Sequence, residues 1–249
     1  MSEKTNIYFA SDFHLGSPNE QESLLREKRV IQWLDAIKND AKEIYLVGDI
    51  FDFWFEYKHS IPKGFSRFIG KIAELADSGT SIYFFTGNHD MWMFDYFEKE
   101  LGVTIHRKPI KKQFGNKTFY IGHGDGLGPG DNGYKFVKKI FANKFCQWLF
   151  ARIHPNLGMS IAKFWSNRSR EHNNDIKQFL GEEKEWLVSY CKDILKQEHV
   201  DVFIFGHRHL PIQHQINQSI YINLGEWMND YSYAKFDGEK IELLPFGKS

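Results

Sequence analysis

Five short apolar runs in this sequence each end in an aspartate, histidine or asparagine beside a glycine, and this recurrence constrains the fold most. The endings are "ASDFHLG" (10–16), "LVGDIFDFW" (46–54), "FTGNHD" (85–90), "IGHGD" (121–125) and "FGHRH" (205–209). The apolar runs before them are short and rich in β-branched and aromatic residues, which favours buried strands. The sequence therefore predicts several strands whose ends carry polar side chains.

The spacing of the apolar runs predicts a layered α/β fold. Strands are expected over 6–12, 43–49, 81–88 and 200–207, and helices over 22–40, about 63–78 and 91–101. Strands that alternate with helices form parallel β-α-β units. A hairpin is predicted to turn at Gly115-Asn116, and further antiparallel strands to turn near Asn217 and Asp237-Gly238.

Residues 131–180 interrupt this alternation, because they show helical patterns and no strand signal. We therefore expect a single domain over 1–249 that contains a helical insertion, a lid, over 128–180. Equal numbers of basic and acidic residues, 32 each, give no global indication of a nucleic-acid partner. Cys146 and Cys191 are expected to be buried thiols in a reducing compartment. Neither a signal peptide nor a membrane-spanning run is evident, so a cytoplasmic protein is expected.

The polar strand endings predict a metal site. In open α/β sheets, ligands bind beyond the carboxyl ends of the strands. Carboxylates, amides and imidazoles there suit manganese, iron, zinc or magnesium in a mixed nitrogen and oxygen site. Strand alternation would place Asp12 and His14 on one face.

In this order, Asp-x-His, Gly-Asp-x-x-Asp, Gly-Asn-His-Asp, Gly-His and Gly-His-x-His resemble the motifs of calcineurin-like metallophosphoesterases. The resemblance implies a four-layer α/β/β/α sandwich with two divalent metal ions, for which manganese is our first choice. The implied ligands of one ion are Asp12, His14, Asp49 and His209, and those of the second are Asp49, Asn88, His123 and His207. His89 would bind phosphate or protonate the leaving group, and Asp52 and Asp90 would orient ligand imidazoles.

The stretch 135–155 predicts one amphipathic helix with aromatic and basic residues and no acidic residue. Two interpretations stay open: a buried helix with a solvated basic face, or a lid that receives acyl chains beside an anionic membrane. The side chains expected to line an acyl channel are Phe141, Phe145, Trp148 and Trp165.

This lid and "LVGDIFDFWFEY" (46–57) are similar to one subfamily, the UDP-2,3-diacylglucosamine hydrolases of lipid A biosynthesis. The resemblance implies attack of water on the α-phosphorus of an amphiphilic nucleotide-sugar lipid at the cytoplasmic face of the inner membrane. It implies no nucleic acid and no obligate protein partner. The implied substrate contacts are Asn88, His89, Asp131, Tyr134, Ser169, Arg170, Asn173 and His207.

Three residues depart from the subfamily. His89 and Arg208 stand where many members carry arginine and threonine, and Lys177 is one position from an expected lysine. Two alternative functions therefore stay open. One is a metallophosphodiesterase of the same superfamily that acts on another nucleotide or phosphoester. The other is a non-catalytic protein-binding scaffold.

Overall fold

The computed structural model describes residues 4–130, 132–172 and 178–247, and for Asn132, Lys163 and residues 165–172 it describes the backbone alone. The strands are β1 (Asn6–Ala10), β2 (Ala41–Val47), β3 (Ser81–Phe85), β4 (Thr104–His106), β5 (Ile110–Phe114), β6 (Lys117–Ile121), β7 (Val202–Phe205), β8 (Pro211–Ile216), β9 (Ser219–Leu224), β10 (Ser232–Phe236) and β11 (Ile241–Pro245). The helices are α1 (Glu20–Ile37), α2 (Ser66–Asp77), α3 (Tyr96–Leu101), α4 (Asn132–Ala142), α5 (Lys144–Phe150), α6 (Pro155–His172) and α7 (Trp186–Leu195).

The strands form two mixed sheets. The first has the order β11-β10-β1-β2-β3-β4, in which β1 to β4 run parallel and β10 and β11 are antiparallel. The second has the order β5-β6-β7-β9-β8, in which β6, β7 and β9 run parallel. The carboxyl ends of the parallel strands within each sheet therefore share one edge.

Strand β2 shows how the layers arise. Ile44 and Leu46 point to one side and pack with α1 and α2, whereas Tyr45 and Val47 point to the other side and pack against the second sheet. This is the two-residue alternation of a strand that is buried on both faces. On the far side of the second sheet, α7 packs against β7, β8 and β9. The four-layer α/β/β/α arrangement is thus confirmed.

The predicted helix over 91–101 is wrong in its first half, because α3 begins only at Tyr96. The Glu56 carboxylate accepts hydrogen bonds from the Asp95 and Tyr96 amides, at 2.7 and 3.1 Å, at the start of this helix. Trp92 instead forms an isolated bridge with Phe55. The helical spacing of aromatic residues there reflects packing of an irregular segment.

The single helix predicted over 135–155 is also wrong, because the chain forms α4, α5 and the start of α6. The Asn143 side chain accepts hydrogen bonds from the Phe145 and Cys146 amides and so caps a new helix. No strand occurs between β6 and β7 in the described part of the chain, as expected. Helix α7 was not predicted. We refer to α4, α5 and α6 as the insertion helices.

Within the ranges that the structure describes, the helices are all too short or too polar to cross a bilayer.

Candidate metal centre

The ends of β1, β2, β3, β6 and β7 bring the five sequence motifs together. Asp12, His14, Asp49 and His209 offer ligand atoms that all lie within 4.8 Å of one another, and so do Asp49, His123 and His207. Asp49 belongs to both groups. The Asn88 Oδ1 lies 3.3 Å from His123 Nε2 and so adjoins the second group. All seven predicted ligands therefore lie in one place, with Asp49 at its middle.

Short distances between the ligand atoms indicate a cation site. His209 Nε2 lies 3.1 Å from both Asp12 Oδ1 and His14 Nε2, and His123 Nε2 lies 3.3 Å from Asp49 Oδ2. Asp12 Oδ1 and Asp49 Oδ2 are buried, and their nearest partners are these imidazoles, without the geometry of a hydrogen bond. Burial of two carboxylates is costly, and a divalent cation offsets that cost. The donor set therefore fits divalent metal ions.

Five of the seven proposed ligands lie in strained turns, and this corrects the expectation that Asp12 and His14 alternate along a strand. Strand β1 ends at Ala10, and both residues adopt left-handed backbone conformations. The positive φ angles of the non-glycine ligands are 56° at Asp12, 44° at His14, 50° at Asp49, 66° at His207 and 50° at His209. Such conformations cost about 1–3 kcal/mol each and persist only where the surroundings impose them. The site is thus shaped by its scaffold before any ion binds.

Two glycines permit the close approach of these turns. A Cβ atom at Gly48 would lie 2.4 Å from His123 Nδ1, and one at Gly206 would lie 2.5 Å from Asp12 Oδ2. Any other residue at either position would displace a proposed ligand. The glycines beside the motif residues therefore have a steric role.

Backbone and side-chain contacts fix the orientation of individual ligands. His123 Nδ1 lies 2.8 Å from the Val47 carbonyl oxygen, so it donates there and leaves Nε2 directed at Asp49. Arg26, which is 7% exposed, donates to the carbonyl oxygens of Phe13 and His14, at 3.1 and 2.7 Å. Arg26 was not among the residues predicted from the sequence. The available signal was a charged residue at helical spacing from Val30, Trp33 and Ile37 on the buried face of α1.

The acid–base properties of the site follow from burial and mutual charge. Burial alone would raise the pKa of Asp49, but the neighbouring His123 and His89 hold it well below its usual range. Burial opposes protonation of His123, yet Asp49 raises the pKa of that imidazole to about 10. Burial, with the adjacent His123 charge, lowers the pKa of His207 to about 4. The Asp49 carboxylate therefore stays ionised and can bind cations.

His89 and Asp52 lie beside the ligands. The His89 amide donates to Asp49 Oδ1 at 2.9 Å, and its ring Nδ1 lies 3.1 Å from the Asp52 carbonyl oxygen. The Asp52 Oδ1 lies 3.8 Å from the Nδ1 atoms of both His14 and His89. Burial lowers the pKa of His89, which favours its neutral form.

Asp90 was expected to orient a ligand imidazole, but its side chain bonds to the backbone instead. Its carboxylate accepts hydrogen bonds from the amides of Gly87, Ile50 and Phe51, at 2.8, 2.7 and 3.3 Å. Burial and the nearby Asp49 charge raise its pKa to about 7. The reason for the difference is that Asp90 lies behind two ligand turns and bonds to their backbones.

The residues predicted to bind substrate on the insertion are placed only in part. The Tyr134 hydroxyl donates to Asp125 Oδ2 at 2.5 Å. Asp131 and Asn173 lie outside the described residues, and Ser169 and Arg170 are described only as backbone within α6. Lys138 is paired with Asp125 at 2.5 Å, so this cation of the stretch 135–155 is compensated by an acidic residue outside the stretch.

A cavity of about 330 Å³ extends from the metal centre beneath the insertion helices. Asp52, Asn88 and His89 line its polar end. Its apolar lining consists of Phe53, Met91, Trp92, Val137, Phe141, Phe150, Ile153, Ile161 and Ala162. Phe141 thus lines the cavity as predicted.

Two of the predicted channel residues do not line this cavity. Phe145 and Trp148 are 64% and 50% exposed on the outer surface, and the Trp165 side chain is outside the described part of the chain. Because α5 begins as a new helix after Asn143, Phe145 and Trp148 do not continue the face of α4 that carries Phe141.

Comparison with known proteins identifies one family and several relatives that share one name. Residues 5–211 match the family model described as calcineurin-like phosphoesterase. A UDP-2,3-diacylglucosamine hydrolase of Porphyromonas gingivalis is 37% identical over 96% of this chain and 97% of its own length. Proteins of the same name from Proteus mirabilis and Neisseria meningitidis are each 28% identical, over 96% and 97% of this chain and 98% of their own lengths.

Proposed function

The chain belongs to the calcineurin-like phosphoesterase family, and on this premise we propose that it hydrolyses UDP-2,3-diacylglucosamine to UMP and 2,3-diacylglucosamine 1-phosphate. The relatives that carry this name match nearly the full chain. The observation that carries the proposal is the cavity, which joins a polar, metal-ligating end to an apolar interior. A substrate with a pyrophosphate and acyl chains needs both parts side by side.

The seven clustered residues are the proposed ligands of two divalent ions, with Asp49 shared between them. Mixed nitrogen and oxygen donors are compatible with manganese, which is our first choice. The bound ions would supply Lewis-acid activation of water and of the phosphoryl oxygens. The strained turns hold the ligand atoms in place, so little reorganisation is required for binding.

His89 is the proposed acid–base residue. It lines the cavity beside Asn88, and its backbone amide is fixed by Asp49. From this position, the protonated form of its imidazole can donate a hydrogen bond to a phosphoryl oxygen, or a proton to the sugar phosphate that leaves when water attacks the α-phosphorus. Asp52 orients the His89 and His14 rings, and Asp90 fixes the backbone of the turns that carry Asp49 and Asn88.

The insertion helices form the proposed lid. Val137, Phe141 and Phe150 would contact the acyl chains inside the cavity. Asn88, His207 and Tyr134 would contact the phosphate and the sugar. Asp131, Ser169, Arg170 and Asn173 are proposed to complete this polar contact. The cavity lies within the size range of pockets that hold drug-sized ligands, about 300–1,000 Å³.

The outer surface of the insertion helices is the proposed membrane contact. Phe136, Phe145 and Phe164 are 65%, 64% and 62% exposed, and Trp148 is 50% exposed. The Arg152 guanidinium lies 4.9 Å from the centre of the Trp148 ring. Exposed aromatic residues beside cations are typical of surfaces that rest on anionic lipid. We infer peripheral association with the cytoplasmic face of the inner membrane.

The test compares kcat/KM for UDP-2,3-diacylglucosamine, UDP-glucose and a chromogenic phosphodiester under identical metal conditions. We expect a strong preference for the diacylated substrate, because acyl chains that fill the cavity also position the pyrophosphate. Equal kcat/KM values for all three would reject the lipid substrate. That result would leave a metallophosphodiesterase of broader specificity.

A further inference from the structure

Arg208 stands between two proposed ligands, His207 and His209, and its side chain pairs with a buried carboxylate. Its Nε lies 3.2 Å from Glu185 Oε2, and its Nη2 lies 3.2 Å from Glu185 Oε1. Arg208 is 5% exposed and Glu185 is 1% exposed. This is a bidentate, charge-assisted pair in the protein interior.

The turn that Arg208 occupies requires support. His207 and His209 have φ angles of 66° and 50°, a conformation that non-glycine residues rarely adopt. The His207 amide donates to Asp12 Oδ2 at 3.0 Å, which connects the turn to the first ligand motif. A side chain anchored midway between the two histidines restricts how both imidazoles can move.

The anchor lies at the beginning of α7. Glu185 precedes this helix, and the ring of the next residue, Trp186, lies 6.4 Å from the His207 ring. Arg208 Nη2 also donates to the Gln178 carbonyl oxygen at 3.3 Å. The pair thus joins the ligand turn to α7 and to the segment that leads into it.

Stability alone is a poor reason for such a pair. The desolvation of two buried charges offsets most of their attraction, and apolar replacement of both partners is often neutral or stabilising. We propose that Arg208 is a positioning residue of the metal centre, and that its pair with Glu185 sets the affinity for divalent ions by holding His207 and His209 in place. This inference rests on the ligand assignments of the proposed function and not on its lipid substrate.

The main test replaces both partners, in the variant Arg208→Met with Glu185→Leu. We expect a folded protein whose Tm without metal is close to that of the parent, because no unpaired charge remains. We also expect affinity for Mn²⁺, measured by electron paramagnetic resonance titration, to fall by roughly 10–100-fold, the usual effect of removing a partner that orients a ligand. A purely structural pair would leave the affinity unchanged.

Lys111→Met with Glu198→Leu is the matched control, because that ion pair is exposed, with side chains 47% and 38% accessible. Its Mn²⁺ affinity should equal that of the parent. Glu185→Gln is a second variant, which keeps the shape of the side chain and removes one charge, and its Mn²⁺ affinity should fall in the same direction.

Unchanged affinity in the folded double variant overturns the proposal. If the double variant does not fold, unchanged affinity in Glu185→Gln does so. The titration uses no substrate, so its outcome is independent of the lipid assignment.

Discussion

The metal centre and the insertion helices differ in which side chains they expose to solvent. Asp12 and Asp49 are 0% and 1% exposed at the ends of strands, whereas Phe136 and Phe145 on the insertion are 65% and 64% exposed. Charged groups are buried and large apolar groups are in solvent, which reverses the usual distribution in both places. Buried carboxylates are expected where a protein binds cations, and exposed aromatic side chains are expected where it binds an apolar partner.

The two regions also differ in how their backbone is held. At the metal centre, buried groups such as Arg26 and Asp90 bond directly to the backbone of the ligand turns. On the insertion, α4 is attached to the loop that follows β6 by Lys135, which donates to the Gly128 carbonyl at 2.6 Å, and by the pair of Lys138 with Asp125. We therefore expect substitutions at the metal centre to abolish catalysis. Substitutions on the insertion helices should instead alter the choice of substrate and the association of the protein with the membrane.

The largest effect should come from Asp49→Ala. Because Asp49 adjoins both ligand groups, its loss should reduce bound metal from two ions to one or none and bring hydrolysis to background. Elemental analysis at saturating Mn²⁺ and a turnover assay measure the two together. Asp35→Asn on α1, whose side chain is 42% accessible and pairs with Lys38 and Lys71, is the control. Two bound ions with full activity in Asp49→Ala would contradict the shared position.

His89→Ala should have the next largest effect. Removal of a positioned acid–base group typically lowers turnover by about 10²–10⁴-fold. The metal content should remain near that of the parent, because His89 lies outside the seven proposed ligands. His59→Ala, at an exposed site, should change neither quantity. Loss of metal in His89→Ala would instead make it a ligand or the direct support of one.

A side chain that fills the cavity should impair activity on the diacylated substrate and leave the chemistry of the metal centre intact. Ala162 is 8% exposed and lines the cavity, so Ala162→Trp would occupy the space proposed for an acyl chain. We expect kcat/KM for the diacylated substrate to fall by roughly 10–200-fold, as for a poorly fitting apolar group. The rate with a chromogenic phosphodiester should be retained. Ala151→Trp, at an exposed position, is the matched control; an equal loss on both substrates would contradict the separation.

The smallest effect concerns the outer surface of the insertion helices. Lys138 is paired with Asp125, so the cations to test are Lys139 and Lys144. Lys139→Glu with Lys144→Glu should weaken adsorption to anionic vesicles by about 1 kcal/mol or more for each residue. Vesicle sedimentation at low and high salt measures this, with Lys28→Glu and Lys42→Glu as the control. Adsorption that ignores both the substitutions and the salt would exclude an electrostatic contact.

The clustering of the seven proposed ligands could be predicted from the sequence because the signal is local. Each motif combines an apolar run, a glycine and a coordinating side chain, and the parallel arrangement of the strands brings such ends to one edge. The convergence of Asp12, Asp49, Asn88, His123 and His207 follows from these features. The left-handed turns that orient the side chains could not be predicted from the sequence, because backbone strain depends on surrounding contacts that no local pattern encodes.

The supports of the site and the inner face of the insertion were decided by tertiary structure alone. Helical periodicity indicated that Phe141 and Phe145 belong to helices, yet only Phe141 lines the cavity, where its carbonyl accepts a hydrogen bond from Trp92 Nε1 at 2.8 Å. Likewise, Glu185 is distant in sequence from Arg208 and is brought to it by the packing of α7. Burial and pairing between distant segments depend on the whole arrangement of layers, whereas the chemistry of a residue and the local preference of its chain segment are contained in the sequence.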